Sequence, residues 1–440
     1  MTTVGGQLPR KLTLTDGAAL LVGATIGSGI FVVPSLIATR IPEPGLVLLL
    51  WVFSGLLVLC GALALAELGA MLPHSGGLYV YMREAYGPFW AFLYGWTIML
   101  VVIPGAVAAL SSAFLLYLTR FVPMAPWAQK ALGVAILLGL AFVNARGAKL
   151  GAGVQNLFTV LKVSGLAGLL ALAASTGGGD ATRFRPWAPD HVSAGLFSAV
   201  GVAMIATLFA YDGWHFVGFV AGEIRDPEKN IARSIALGIA VVMAVYVAAN
   251  VAYIYVLGQA RIAGSERVAA DAMSAMIGPR GADLISVAIL CSIFGAISAN
   301  VLAAPRVFFA MARDGTFFPW LAEIHPRYET PAHAIWALAA WAGVLTLTGG
   351  YEHLITMSQF ANWIFFTMVV ASVIVLRRAH PEWPRPYRVA GYPFTVVAFA
   401  VVSAAFVVNT LLASAHSSLM GLGLLLLGVP FYRRPKAARG

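Results

Sequence analysis

The sequence has few charged residues and almost no cysteine. Only 10% of its 440 residues are Asp, Glu, Lys or Arg, whereas about 25% is usual in soluble domains, so a chain of soluble domains is excluded. Both cysteines, Cys60 and Cys291, lie in apolar stretches, which excludes a disulfide framework or a cysteine-based metal cluster. A cleavable signal peptide is not expected either, because the N-terminus is polar and the first apolar run leads straight into others.

Apolar residues make up 60% of the chain, and a membrane-spanning helix needs about 20 of them in succession. Apolar runs separated by charged or Pro/Gly-rich breaks therefore predict an all-α polytopic membrane protein with twelve transmembrane helices. The predicted spans lie near 14–38, 44–72, 87–118, 128–145, 152–174, 194–221, 233–257, 281–312, 332–348, 353–376, 394–413 and 416–431.

The basic residues predict the orientation of these spans. With the N-terminus inside, the cytoplasmic segments hold 18 Lys and Arg and the outer segments hold 8. This bias follows the positive-inside rule and explains the net charge of +10 without a nucleic-acid partner. We expect a multi-pass protein of the cell membrane, in contact with lipid, with both termini in the cytoplasm.

Two spans contain residues that are unfavourable inside a helix. The first has glycines at 23, 27 and 29, and the sixth has an Asp212-Gly213 pair. The two breaks lie five spans apart, which is typical of transporters built from inverted repeats. The alternative is that the glycines only let helices pack closely. The predicted organisation is a tail (1–13), two five-helix repeats (14–174 and 194–376), helices 11 and 12 (394–431) and a second tail (432–440), with both tails cytoplasmic.

Several ordered motifs cover nearly the whole chain. They are GSGIF (27–31), AELG (66–69), PHSGGLY (73–79) with GW (95–96), RDG (313–315), HPRY (325–328) and RPYRVAGYP (385–393). With them the chain resembles the amino acid–polyamine–organocation (APC) superfamily, and within it prokaryotic members of the L-type amino acid transporter family. The resemblance implies a five-plus-five inverted repeat with broken helices 1 and 6, two extra C-terminal helices, and sodium-independent amino acid transport.

The first break suits the binding of an amino acid. Unwound backbone at the start of a half-helix presents free N–H groups and the positive end of the helix dipole to a carboxylate. Carbonyl groups freed at Thr25, Phe209 and Asp212 can accept hydrogen bonds from the substrate ammonium. The resemblance gives these positions the same roles, makes Phe209 an aromatic lid and makes Trp214 part of the wall. The predicted substrate-binding residues are Thr25, Ile26, Gly27, Ser28, Gly29, Ile30, Phe209, Ala210, Asp212 and Trp214.

Asp212 has two interpretations. A carboxylate in mid-membrane is costly, about 2.5–3.5 kcal/mol on insertion scales, so it faces a cavity or has a function. Either it binds a cationic substrate side chain, or it caps a half-helix or bonds unwound backbone. Its neighbour His215 is either a pH sensor or a structural group.

Lys162 is the only basic residue deep in the fifth span. It lies too far from the helix ends to reach the membrane surface easily. The resemblance places it where sodium-coupled relatives hold a sodium ion, between helices 1, 5 and 8, with Asn300 or Ser298 as its predicted partner on helix 8. Glu67 and Arg306, near the cytoplasmic ends of their spans, are expected to stabilise the inner gate region.

Two departures from the family pattern limit what the resemblance implies. Residues 119–127 contain no cysteine, so a disulfide-linked heavy chain is not expected, and Gly222 stands where the L-type pattern usually has an acid. The leading hypothesis is an exchanger working by alternating access. The alternative is proton-coupled uptake of amino acids or polyamines. A membrane sensor and an enzyme are disfavoured, and no cofactor or metal is predicted. The preferred substrate side chain stays open.

Overall fold

The structure is a computed structural model of the chain. It describes residues 13–72, 77–146, 148–176, 178–189, 191, 194–219, 224–328, 330–348 and 350–432. The two predicted tails lie outside these ranges except for Thr13 and Tyr432, as do Gly222 and part of the PHSGGLY motif. The side chain of Arg306 is also outside the description, so its expected role stays a prediction.

The described residues fold into helices, and none of them forms a β-strand. The α-helices are α1 Leu14–Thr25, α2 Gly29–Ala38, α3 Pro44–Met71, α4 Leu78–Tyr86, α5 Pro88–Thr97, α6 Ile103–Leu118, α7 Pro126–Ala145, α8 Ala148–Ser175, α9 Ala194–Ala210, α10 Phe216–Phe219, α11 Pro227–Leu257, α12 Gln259–Ala263, α13 Val268–Ile277, α14 Pro279–Ala303, α15 Pro305–Arg313, α16 Ala332–Thr348, α17 Tyr351–Ala379, α18 Phe394–Ala413 and α19 Ala415–Leu426.

Helices occupy each of the twelve segments predicted from the apolar runs. In the described part of the chain, seven helices are long and apolar enough to cross a membrane, and the bent pair α1–α2 makes an eighth. Shorter apolar helices include α13, α16 and the described part of α9. The prediction of an all-helical, multi-pass membrane protein is therefore confirmed.

Both predicted breaks are present. The axes of α1 and α2 differ by 49°, and residues 211–215 form turns between α9 and α10. Capping at Thr13 starts α1, because its side chain accepts from the Asp16 N–H while Asp16 accepts from the Thr13 N–H. A third irregularity is a π-helical segment, Ile98–Val102, between α5 and α6, which the sequence does not indicate.

The two breaks pack against each other through glycine. Gly213 has a φ of +119°, and a Cβ there would lie 2.9 Å from the carbonyl carbon of Ala24. A Cβ on Gly29 would lie 2.6 Å from the Cα of Ala210. Only glycine permits both the positive φ and this close backbone approach. The glycines therefore do both things that the sequence suggests: they allow close packing, and they lie where the helices unwind.

A buried carboxylate joins α3 to α17 and to the segment after it. Glu67 is 1% exposed, and it accepts two hydrogen bonds from the Arg377 guanidinium, at 2.8 and 2.6 Å. The Val389 N–H donates to the same carboxylate at 2.7 Å, and the Arg385 Nε lies 3.8 Å away. The bidentate pair is a strong, directional interaction, in line with the expected stabilising role of Glu67.

Replacing Glu67 by alanine should destabilise the fold. Arg377 and Arg385 would then lose their counter-charge, and breaking such a buried pair costs about 3–5 kcal/mol. We expect a clearly lower melting temperature in detergent. The control is Glu84→Ala, which removes a half-exposed partner of Arg83 and should cost at most about 1 kcal/mol. Equal losses in the two variants would contradict the special role of Glu67.

Candidate functional site

A cavity lies where the two broken helices meet. It encloses about 530 Å³ of space free of protein atoms, counting the adjoining solvent. Residues from both breaks line it together with residues of α6 and α14. The lining residues are Ala24, Thr25, Gly27, Ser28, Gly29, Ile103, Ala106, Leu110, Phe209, Ala210, Asp212, Gly213, His215, Phe216, Ala296 and Asn300.

The first break presents unused hydrogen-bond donors to this cavity. The N–H groups of Phe31 and Val32 donate to the Ser28 carbonyl, whereas those of residues 27–30 donate to no backbone carbonyl in the described ranges. The Ser28 side chain does not cap α2. The start of α2 therefore combines free N–H groups with the positive end of a helix dipole, and this arrangement binds anions.

The second break contains a carboxylate that already has partners. Asp212 accepts from the Gly213 N–H at 2.9 Å and from the Gln359 side chain at 3.1 Å. The His215 Nδ1 lies 3.4 Å from the same oxygen, Oδ1, that accepts from the Gly213 N–H. Gln359 in turn accepts from the Trp363 indole N–H at 2.9 Å. This network spans the break and α17, and it matches the interpretation in which Asp212 bonds unwound backbone.

A tyrosine hydroxyl links the two breaks. Tyr246 of α11 is fully buried and lies 2.9 Å from the Thr25 carbonyl and 2.8 Å from the Ala210 carbonyl. A single O–H is thereby shared between the two chain segments. Its ring packs edge-on against Trp51 and Tyr211, so its position is fixed by packing on α3.

Lys162 points to α1, and no hydrogen bond joins it to Ser298 or Asn300 among the described contacts. The side chain is 3% exposed, and its ammonium donates to the Gly23 carbonyl at 2.5 Å. Ser298 instead accepts from Asn144 at 3.4 Å, and Asn300 donates to Ala296 in its own helix at 2.9 Å. The lysine is thus a link between α8 and the last turn of α1.

The structure brings most of the predicted substrate residues to one cavity. Thr25, Gly27, Ser28, Gly29, Phe209, Ala210 and Asp212 line it, and so does Asn300. Ile26 and Ile30 are buried outside the lining. Trp214 also lies outside it and packs on Phe366, with ring centroids 4.7 Å apart. Ser298 and Lys162 are not part of the lining.

Three features of the site escape sequence reasoning. Tyr246 and Gln359 lie inside long regular helices, where nothing in the local pattern distinguishes them. The π-helical segment is the third, and α6 begins directly after it and supplies Ile103 and Ala106 to the cavity. Carbonyls of that segment accept from Ser358 at 2.8 Å and from Trp341 at 2.7 Å. Such π segments recur at functional sites.

An aromatic pair closes one side of the cavity. The ring of Phe209 meets that of Tyr351 edge-on, with centroids 6.0 Å apart. The hydroxyls of Tyr351 and Ser28 are both buried and lie close to each other. Phe209 lines the cavity and contacts Tyr351, and its role as a lid stays a prediction.

Comparisons with known proteins find relatives over most of the chain. A family model described as amino acid permease matches residues 12–429. The chain is 32% identical to the serine/threonine exchanger SteT of Bacillus subtilis, covering 98% of both chains. It is 32% identical to the human b(0,+)-type amino acid transporter 1, over 87% of this chain and 79% of the relative. To the human cystine/glutamate transporter it is 30% identical, over 97% and 85% respectively.

The two helix 1 glycines should differ in their tolerance of a methyl group. In Gly29→Ala the new Cβ would overlap Ala210, and such overpacking costs about 1–3 kcal/mol. In Gly27→Ala the nearest atom to the new Cβ is 3.9 Å away, so the methyl would enter the cavity without a clash. We expect only Gly29→Ala to lower the melting temperature in detergent. A loss of stability in Gly27→Ala as large as in Gly29→Ala would contradict the packing.

Proposed function

The chain belongs to the amino acid permease family, and on that premise we propose that it transports amino acids across the cell membrane as a sodium-independent exchanger. The family match confirms the resemblance seen in the sequence, and it places the protein among transporters rather than enzymes. Within this proposal the chain has twelve spans in a five-plus-five inverted repeat (14–174 and 194–376), with helices 11 and 12 (394–431) added and both termini cytoplasmic.

The observation that carries the proposal is the set of free N–H groups at the start of α2, facing a cavity that both breaks line. A substrate carboxylate would accept from the backbone of residues 27–30, where charge-assisted hydrogen bonds are strong. Gly27 leaves room for the carboxylate to approach. The ammonium would lie against the carbonyls of Thr25, Phe209 and Asp212, since a carbonyl that already accepts one bond keeps a second lone pair.

The remaining wall favours a small neutral side chain. Ile103, Ala106, Leu110 and Ala296 supply an apolar surface, and Phe209 would close over the substrate. Asp212 is the only acidic lining residue, and Gln359 and the Gly213 N–H already use its oxygens. We therefore assign Asp212 to the geometry of the break rather than to a cationic side chain.

Lys162 supports independence from sodium. Its Nζ donates a hydrogen bond to the Gly23 carbonyl, where a bound sodium ion would otherwise hold the end of a half-helix. Because this donor is covalently attached, the first half-helix would be held without any ion. The two cysteines are free and lie within α3 and α14, and we propose that the protein functions without a disulfide-linked heavy chain.

The role of Asp212 is tested by Asp212→Asn. If the carboxylate shapes the break, uptake of alanine and of lysine should fall together, by about tenfold, since a hydrogen bond to a charged group contributes about 1.5–3 kcal/mol. Both uptakes are measured in the same proteoliposomes. Asp226→Asn, which removes an exposed carboxylate at the start of α11, is the control and should change neither. A selective loss of lysine uptake would instead make Asp212 a specificity residue.

The transport mode is tested by amino acid flux in proteoliposomes. We expect uptake only into vesicles loaded with amino acid, with no effect of sodium or of a proton gradient. Lys162→Ala should reduce this exchange strongly while the protein remains folded, because α1 loses its link to α8. Lys130→Ala, which removes an exposed lysine bonded to the Leu347 carbonyl, is the matched control.

The competing mechanism is proton-coupled uptake of amino acids or polyamines. Uptake into empty vesicles that rises with an inward proton gradient and collapses with an uncoupler would overturn the exchanger. It would also give Lys162 the role of a proton carrier, since an amine that leaves its carbonyl acceptor during the cycle can release its proton.

A further inference from the structure

A second cavity lies on the other side of the Phe209–Tyr351 pair. It encloses about 800 Å³ of space free of protein atoms, counting the adjoining solvent. Its polar lining includes Gln129, Glu266, Arg267 and Tyr351, contributed by α7, the segment before α13, and α17. These chain segments belong to the side of the protein that the Lys and Arg distribution places outside the cell.

Tyr351 is common to this outer cavity and to the wall of the inner one. Its side chain lines the outer cavity, and its ring contacts Phe209, which lines the inner cavity. Its hydroxyl is buried and lies near Ser28 at the first break. The Phe209–Tyr351 ring pair therefore joins the walls of the two cavities.

Two side chains of opposite charge line the outer cavity without a partner in the described part of the chain. Neither the Arg267 guanidinium nor the Glu266 carboxylate forms an ion pair or a hydrogen bond within the residues described. Three neighbouring charges at this end have partners. Arg120 pairs with Asp283 at 2.7 Å, Lys130 donates to the Leu347 carbonyl at 2.7 Å, and Asp271 accepts from Ser265 at 2.5 Å.

The backbone that carries these two side chains is well anchored. The Arg267 N–H donates to the Ser265 hydroxyl oxygen at 3.1 Å, and Asp271 binds the same hydroxyl. The Asp271 N–H donates back to the Arg267 carbonyl at 3.0 Å. Arg267 is half-buried, so its guanidinium is held at the cavity at a modest cost in conformational entropy.

We propose that the outer cavity is a second binding site for a zwitterionic amino acid, occupied before the substrate passes Phe209 and Tyr351. Arg267 binds the carboxylate, for which its planar fork is well suited, and Glu266 binds the ammonium. Neighbouring charges of opposite sign match a zwitterion better than an ion of a single sign. This inference rests on the proposed function and on the proposed orientation.

The test compares transport from the two sides of the membrane. Exchange of alanine is measured in right-side-out and in inverted membrane vesicles of the same cells. Arg267→Ala should raise KM about tenfold for substrate added from the outside, the loss expected for one charge-assisted contact. KM for substrate from the inside, and the maximal rate, should stay within twofold. Glu266→Gln should act in the same direction, and Arg267→Lys should have a smaller effect than Arg267→Ala.

The control is Arg261→Ala, which removes an exposed arginine of α12 that does not line the cavity. It should leave both KM values unchanged, and the amount of folded protein in the membrane is measured for every variant. An external KM within twofold of wild type in both Arg267→Ala and Glu266→Gln would overturn the proposal, as would equal increases on the two sides. Absence of alanine exchange by the wild-type protein would instead overturn the proposed function.

Discussion

The contact between the two broken helices is the constraint on which the site depends. Gly213 lies against the backbone of Ala24, Gly29 lies against Ala210, and one hydroxyl of Tyr246 is shared by the carbonyls of both segments. Unwinding a helix inside a membrane exposes polar backbone, and such exposure is tolerated only where protein or a cavity receives it. Here each break covers part of the exposed backbone of the other, and the remaining polar backbone groups face the cavity. The free N–H groups of residues 27–30 therefore follow from how the chain is packed.

The buried charges obey the same requirement. An ionised side chain in the membrane interior needs close partners of opposite charge or polarity. Lys162 has the Gly23 carbonyl, Asp212 has Gln359 and the Gly213 N–H, and Glu67 has Arg377 and the Val389 N–H. Three of these links, Lys162 with Gly23, Asp212 with Gln359 and Glu67 with Arg377, join segments that are distant in sequence. By contrast, Arg267 and Glu266 face the outer cavity with their charged groups unpaired in the described structure, which is why we infer that they act on a ligand.

Much of this arrangement could be predicted from the sequence because it depends on local composition. Apolar runs predicted the helices within a few residues, and glycine at 27 and 29 and the Asp212-Gly213 pair predicted both breaks. The direction of side chains on unwound backbone could not be predicted, because no helical period applies there. Trp214 is an example: it packs on Phe366 and does not line the cavity. Tyr246 and Gln359 were missed for the opposite reason: each lies in a regular helix, and only the tertiary packing brings it to a break. Lys162 donates to the Gly23 carbonyl of α1, while Ser298 and Asn300 bond to Asn144 and Ala296 instead.

These contacts also limit which parts of the site would move in the transport cycle that we propose. The first and second breaks are joined by backbone packing and by the Tyr246 hydroxyl, so separating them would expose two carbonyls and a phenol in a medium that offers no replacement partners. The aromatic closure is different, because Phe209 and Tyr351 meet through ring edges, with centroids 6.0 Å apart. Rotating the Phe209 ring gives up dispersion contacts, which are individually small. In the cycle and orientation that we propose, the outer side of the site would thus open at the rings while the two breaks, and the donors between them, keep their geometry.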